Sequence, residues 1–392
     1  MRTVSRLSLL ASLALVMGFA VEAALAAAAS ARTDACGAWP LWQAYAERFI
    51  QADGRVVDFH AAHSTSEGQA YGLFFALVAN DRQRFAALLK WTEDNLAGGD
   101  LGAQLPAWQW GRRDDGSWGV LDPNPASDAD LWLAYTLLEA GRLWREPVYS
   151  RLGLRLTARI AEEEVATLPG LGPILLPAPA GFQPQPDLWR LNPSYLPIQL
   201  LRALHDYDPT GPWAGMVPAT IRLLRETAVR GFAPDWTGYQ TGIGWVADPD
   251  KGPVGSYDAI RVYLWLGMLD IDEPLRAPLL RALRGMATSL QRDGVPPERV
   301  DTLSGRAEGR GPAGFSAALL PYLAALGDSP LLTQQRRRVE AAYHERLLGN
   351  DPRYYDQNLA LFGTGWLDGR FRFAAGGRLL PSWNISCRDL GK

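Results

Sequence analysis

The chain has 392 residues, 47% of them hydrophobic, and a net charge of −3, enough material for a large core and long enough for two or three domains. No basic excess points to nucleic acid and no acidic run is present; arginine carries the positive charge, the lysines being Lys90, Lys251 and Lys392 alone. Fifteen tryptophans and thirteen tyrosines call either for a large helical core or for a groove that stacks on flat ligands such as pyranose rings.

Residues 1–32 read as a targeting segment. Arg2 and Arg6 form a positive start, Leu7 to Val21 an apolar stretch, and Ala23 to Ala31 a run of small residues suited to cleavage. The apolar stretch is too short for a membrane anchor, so no membrane insertion is expected after its removal. The expected location is periplasmic or secreted, with residues 33–392 forming one domain. A lipoprotein reading of Cys36 lacks the leucine three residues before it. The two cysteines, Cys36 and Cys387, stand at opposite ends of the processed chain. A disulfide between them would stabilise by up to about 5 kcal/mol on chain-entropy grounds; the alternative is two free thiols. Neither is expected to be catalytic.

The processed chain then reads as helices separated by Gly- and Pro-rich loops. Trp42, Tyr45 and Phe49 mark the first helix. The second runs from Ser66, read as its N-cap, to Asn80, with Glu67 as its first residue. Gly68 and Gly72 each cost roughly 1 kcal/mol relative to Ala, and imply that something approaches the backbone closely there, with Glu67 doing chemistry on a ligand over the helix end. The third helix reaches Ala97, and a loop with Trp108, Trp110 and Trp118 follows. Ser127 is read as the cap of the fourth, and Pro147 opens a fifth lasting to Thr167. Residues 168–192 are too rich in Pro and Gly for one regular element. Further helices are expected near Ser194, Trp213, Ser256, Pro274, Gly314, Asp328 and Tyr354, with strand signals confined to pieces such as Phe371-Arg-Phe373.

Twelve successive helices predict an all-α fold of six helical hairpins. Closed into a ring, alternate helices form an inner layer whose N-termini share one rim. The even-numbered helices begin at Ser66, Ser127, Ser194 and Ser256, so Glu67, Asp128 and Asp258 would converge on one cleft. Each carboxylate alone could merely complement a helix dipole. Asp128 and Asp130 are two apart and face different ways, so one of them is expected in the cleft. Arg261 lies three residues after Asp258, close enough to orient it or simply to form a structural ion pair. His60, His63 and Glu67 do not match a zinc-protease helix, and no metal or cofactor is expected.

Acidic residues in a Trp-rich cleft suit glycoside hydrolysis, in which one carboxylic acid protonates the leaving oxygen and a second carboxylate activates water or attacks the sugar. A helix N-terminus opposes protonation of the acid, so burial and a neighbouring anion such as Asp128 must hold its proton.

The segments Thr65-Ser-Glu-Gly-Gln-Ala-Tyr-Gly72, Ala126-Ser-Asp-Ala-Asp-Leu-Trp-Leu-Ala134 with Trp144 following, Asn192-Pro-Ser-Tyr-Leu-Pro197 and Ser256-Tyr-Asp-Ala-Ile-Arg-Val-Tyr263 together resemble glycoside hydrolase family 8. Within it they are most similar to the periplasmic endoglucanases associated with bacterial cellulose synthase. Leu133 departs from the signature, which usually has Ile or Met there. The resemblance implies an (α/α)6 barrel and an inverting endo-β-1,4-glucanase needing water and no cofactor. It makes Glu67 the proton donor and Asp258 the base. Asp128 becomes either a nucleophile or, more consistent with inversion, a group that holds the sugar and positions the water. Tyr195 and Arg261 are further candidates at that centre, and Trp108, Trp110, Trp132 and Trp189 are candidate sugar platforms. The implied partners are cellulose chains and the cellulose export machinery, with the enzyme a monomer. Xylan or chitosan as substrate, or a non-catalytic glycan-binding scaffold, are the alternatives.

Overall fold

The computed structural model describes residues 37–385, so the targeting segment and both cysteines lie outside the described residues. The helices in chain order are α1 (Pro40–Phe49), α2 (Ser66–Val78), α3 (Arg82–Leu96), α4 (Ser127–Trp144), α5 (Pro147–Glu163), α6 (Ile198–Tyr207), α7 (Trp213–Glu226), α8 (Ala259–Gly267), α9 (Arg276–Ala282), α10 (Gly285–Asp293), α11 (Ala313–Leu326), α12 (Ser329–Ala342), α13 (Tyr354–Leu367) and the short α14 (Ser382–Ile385).

They form two layers. Helices α2, α4, α8, α11 and α13 are buried on nearly every side, as expected of helices that are largely apolar all round, and α6 joins this layer through Ile198, Leu200, Leu201 and Leu204 while leaving Asp206 exposed. Outside them, α3, α5, α7 and α12 bury one stripe each. The ring closes where Phe362 of α13 meets α2, its ring 5.2 Å from Tyr71, 5.4 Å from Phe74 and 4.6 Å from Phe75. Across the axis the same side chain touches Trp132 of α4 at 5.2 Å and Trp265 of α8 at 5.1 Å. An aromatic plug therefore fills the middle of the barrel, and the expected all-α (α/α)6 architecture is what the chain adopts. No helix among the described residues is long and apolar enough to cross a membrane.

Several expected starts shift. The cap of α2 is Thr65, whose Oγ1 accepts from the Gly68 N–H at 3.3 Å, while Ser66 is already helical. Likewise Ala126 precedes α4, and the Ser127 hydroxyl lies inside the first turn without a partner. Ser194 sits in a 3-10 turn, Pro193–Tyr195, capped by Asn192, and α6 starts only at Ile198. Ser256 precedes α8 by three residues. The single helix expected after Pro274 is two, α9 and α10, broken where the Gly285 N–H bonds to the Gly231 carbonyl at 2.9 Å; a Cβ at Gly285 would lie 2.6 Å from the Arg230 carbonyl.

Strands are far more numerous than expected, though each has only two to five residues. They are β1 (His63–Thr65), β2 (Gln109–Arg112), β3 (Trp118–Asp122), β4 (Val165–Leu168), β5 (Gly172–Leu175), β6 (Leu188–Leu191), β7 (Thr237–Gln240), β8 (Gly244–Ala247), β9 (Val254–Gly255), β10 (Arg299–Asp301), β11 (Arg306–Glu308), β12 (Tyr343–His344), β13 (Leu347–Leu348), β14 (Phe371–Phe373) and β15 (Leu379–Pro381). Elements this short carry too few residues for a period-two pattern to stand out. The fifth helix, expected to reach Thr167, stops at Glu163 because Val165 to Leu168 pair antiparallel with Gly172 to Leu175. Three of the sheets build the rim. The β1–β2–β3 sheet leads straight into α2, β6–β7–β8 flanks the Asn192 turn, and β9–β10–β11 leads into α8.

Candidate active site

The N-terminal ends of α2, α4 and α8 meet at one rim and bring three carboxylates around one guanidinium. Arg261, in the first turn of α8 and 5% exposed, donates from Nη1 to Asp128 Oδ2 at 2.7 Å and to the Tyr71 hydroxyl at 3.0 Å. Its Nη2 donates to Asp258 Oδ1 at 2.7 Å. The pairing of Arg261 with Asp258 is thus real, and the same side chain also reaches across the barrel to Asp128. Tyr195 packs its ring 5.5 Å from the guanidinium.

Asp128 and Asp258 share this partner but not their exposure. The side chain of Asp128 is 1% exposed and that of Asp258 is 33%. Asp128 Oδ1 accepts the Ala129 N–H at 2.9 Å, which leaves it locked. Asp258 Oδ2 takes the Trp236 indole N–H at 3.0 Å and keeps an open side. Glu67, Tyr71, Trp108, Asp258, Arg261 and Tyr355 line a cavity of about 200 Å³ to which Asp128 does not contribute. A roomier cavity of about 290 Å³ between Trp39, Leu320 and Val339 is lined by none of these carboxylates, so volume is not what marks the site.

Glu67 Oε2 accepts the Trp108 indole N–H at 3.0 Å. Burial and the nearby charge of Asp128 push its carboxyl up to about 8, against the pull of the helix backbone, Arg261 and the Trp108 N–H. The conflict between a helix N-terminus and a protonated acid is therefore resolved in favour of the acid. Burial also raises Asp128, with Arg261 opposing.

Gly68 has a different reason from the one expected. A Cβ there would stand 2.6 Å from the Tyr354 hydroxyl, and one on Gly72 would press on Leu88 and Val56 at 3.3 Å. The close neighbour is the protein itself, not a ligand.

The tryptophans divide. Trp108 is at the site, half-buried. Trp110 lies against Trp91 and Trp118, each at 5.3 Å, with the Arg55 guanidinium 4.4 Å from its ring, so the indole this sheet shows to solvent is Trp118, 53% exposed. Trp132 has no exposed surface and belongs to the central plug, and Trp189 is 8% exposed within the core. Neither has a face to offer a sugar, which corrects the expectation for both.

Several residues at the site escape the sequence reading. Trp236 orients Asp258 and stacks on Phe182 at 5.6 Å. Asp235 accepts from the N–H groups of Ser256, Asp258 and Ala259 and from the Ser256 hydroxyl, at 2.6 to 3.1 Å, so it caps α8 from outside. Both sit in a loop without periodicity, and only the adjacency of an acid and an indole hints at them. Tyr71, whose hydroxyl accepts from Arg261, is not singled out either, although its spacing of four from Glu67 places both on one helix face. Among the described residues no cluster of ligating side chains could hold a metal ion.

This geometry agrees with what the chain is similar to. The model of glycosyl hydrolases family 8 matches residues 16–369. An endoglucanase of Xanthomonas axonopodis pv. citri is 55% identical over 365 residues, covering 93% of this chain and 94% of that one. An endoglucanase of Escherichia coli K12 is 46% identical over 356 residues, covering 90% and 93%. The crystal structure of an endo-1,4-D-glucanase from Vibrio fischeri ES114 superposes with a TM-score of 0.83 at 41% identity, covering 88% of this chain and 99% of that one. With an acid, an open carboxylate and a bridging arginine on the rim of an (α/α)6 barrel, the chain is a glycoside hydrolase and belongs to family 8.

Proposed function

We propose that the enzyme is an endo-β-1,4-glucanase that hydrolyses internal bonds of cellulose-like chains with inversion at the anomeric carbon. Glu67 donates its proton to the glycosidic oxygen as the C1–O bond breaks. Asp258 takes a proton from a water whose oxygen bonds to C1 from the opposite face. The proton gained by Asp258 returns to Glu67 through solvent before the next turnover. Asp128, shut off from the cavity, keeps Arg261 fixed and through it Asp258, and its charge helps Glu67 keep its proton. Trp108 borders the sugar beside the acid, and Tyr195 and Trp236 border it beside the base.

One observation carries this reading: a half-buried carboxyl that stays protonated at neutral pH faces the same cavity as an open carboxylate. The names of the relatives supply the substrate class. Glu67→Gln is expected to abolish hydrolysis of carboxymethylcellulose while glucan binding is kept, and near-normal turnover would refute the role. NMR of the first product anomers tests inversion, since initial retention contradicts the base role of Asp258. Xylan and chitosan assayed alongside separate the glucan reading from other β-1,4 glycans.

Residues 1–32 are proposed to direct export and 33–392 to form the single mature domain, a monomer trimming nascent cellulose outside the cytoplasm near the synthase. N-terminal sequencing of the periplasmic or secreted protein checks the cleavage, and cellulose output of a deletion strain checks the role.

A further inference from the structure

Asp130, in the same first turn as the locked Asp128, points away from the cleft. It is fully buried, and so is Glu164, the residue at the C-terminal cap of α5. None of the four carboxyl oxygens receives an N–H or hydroxyl donor from another described residue. The one polar partner of each is the carboxyl of the other. Two carboxylates cannot form that contact, because neither has a hydrogen to donate; one proton turns it into a hydrogen bond.

The strongest electrostatic influences on the pair, among the described residues, add further negative charge. The charged groups acting on Asp130 are Glu164, Asp128 of α4 and Glu67 of α2. Those acting on Glu164 are Asp130, Asp128 and Glu163 of α5, and Glu163 is itself paired with Arg159. All of these are acids. The backbone around it is tied to the rim. The Glu164 carbonyl accepts the Leu176 N–H at 2.8 Å, and the next residue, Pro177, accepts from Ser127 at 3.0 Å. Residues 164 and 127 are thus strapped together by one two-residue stretch, with the Asp130–Glu164 contact beside it.

We propose that Asp130 and Glu164 hold a shared proton at neutral pH, and that this acid–carboxylate bond is a positioning element that fixes the first turn of α4 so that Asp128 meets Arg261. The shared proton rests on the burial of both carboxyls and their lack of any other donor among the described residues, independent of the reaction; the consequence for turnover rests on the proposed glucanase reaction. Burial and the neighbouring acids raise both groups well above the usual carboxylate range, which keeps the proton in place.

The test uses the full mature chain carrying Glu67→Gln, which removes the other protonated carboxyl of the rim. Infrared spectra at neutral pH should show the C=O stretch of a buried protonated acid that disappears on adding either Asp130→Asn or Glu164→Gln. Each amide can donate to the remaining carboxylate, so the contact survives without the shared proton. Melting temperature against pH gives a second readout: the variants should lose stability less steeply than their parent as pH rises above the ordinary carboxylate range. In the otherwise wild-type chain, with Glu67 intact, Asp130→Ala should lower kcat by about tenfold or more with KM nearly unchanged, and Asp130→Asn should recover most of it. Unchanged infrared bands with parallel melting curves overturn the shared proton. Unchanged kcat in Asp130→Ala overturns the positioning role. If the glucanase reading fails, the infrared and melting results still decide the proton.

Discussion

At Glu67 opposing influences compete, and their balance is what keeps its proton in place. The N-terminal turn of α2 and the Trp108 N–H favour the anion, while burial and Asp128 favour the neutral form and prevail, with a pKa of about 8. Activity should therefore fall as pH rises through about 8, because the proton to be delivered is gone. Trp108→Phe removes a donor to the ionised form, so the alkaline limb of kcat should move to higher pH; a limb that stays or moves down contradicts this. The same shift fixes a stability change. A carboxyl whose folded pKa exceeds its unfolded one binds more protons when folded, so stability is lost as pH rises from the unfolded value near 4.5 to about 8. Glu67→Gln should consequently raise the melting temperature at pH 8 relative to wild type and leave the difference small at pH 4. Of this centre, the Asp258–Arg261 contact was readable from a spacing of three. The Asp128–Arg261 contact spans 133 residues of sequence and has no local signal.

At the scale of elements, Gly68 shows how a helix start is shaped by its neighbour across the ring. The glycine was visible in the sequence as an anomaly, and its cause, the hydroxyl of Tyr354 on α13, was not. Gly68→Ala places a methyl 2.6 Å from that oxygen, within a first turn that must keep Glu67 in place. The expected cost is about 1–3 kcal/mol by chemical denaturation, together with lower kcat. Removing the hydroxyl with Tyr354→Phe should recover part of the stability in the double variant, and a strictly additive pair would place the strain elsewhere. The serines at the helix starts carry a related lesson. Ser66 and Ser127 lie one residue inside their helices, and Ser194 and Ser256 in turns ahead of theirs, so residue type located each rim segment without locating its cap. The outside cap of α8, Asp235, comes from a loop more than twenty residues earlier and is invisible to any rule about adjacent residues.

For the molecule as a whole, the question posed by fifteen tryptophans is how many belong to the core and how many to the cleft. Helical periodicity and the polar clusters were enough to infer a ring with its functional rim. They could not sort the indoles, because a platform and a plug use the same residue in the same helices. The sorting depends on depth along the barrel axis. Trp132 lies one turn below Asp128, where its ring meets Phe74 at 4.9 Å, Trp265 at 5.2 Å and Phe362 at 5.2 Å. Three inner helices therefore converge on it, and a truncation leaves a void that a closed ring cannot easily collapse. Trp132→Ala should destabilise by about 3–5 kcal/mol in equilibrium denaturation. A sugar platform would behave differently, losing affinity for long glucans at little cost in stability. The exposed Trp118 serves as the internal contrast, since Trp118→Ala removes surface indole without opening the core. The decisive comparison is KM for a long glucan in the fraction of Trp132→Ala that remains folded. A value near wild type assigns Trp132 to the plug that holds the three rim helices in register, whereas a large rise in KM with unchanged denaturation would return it to the cleft.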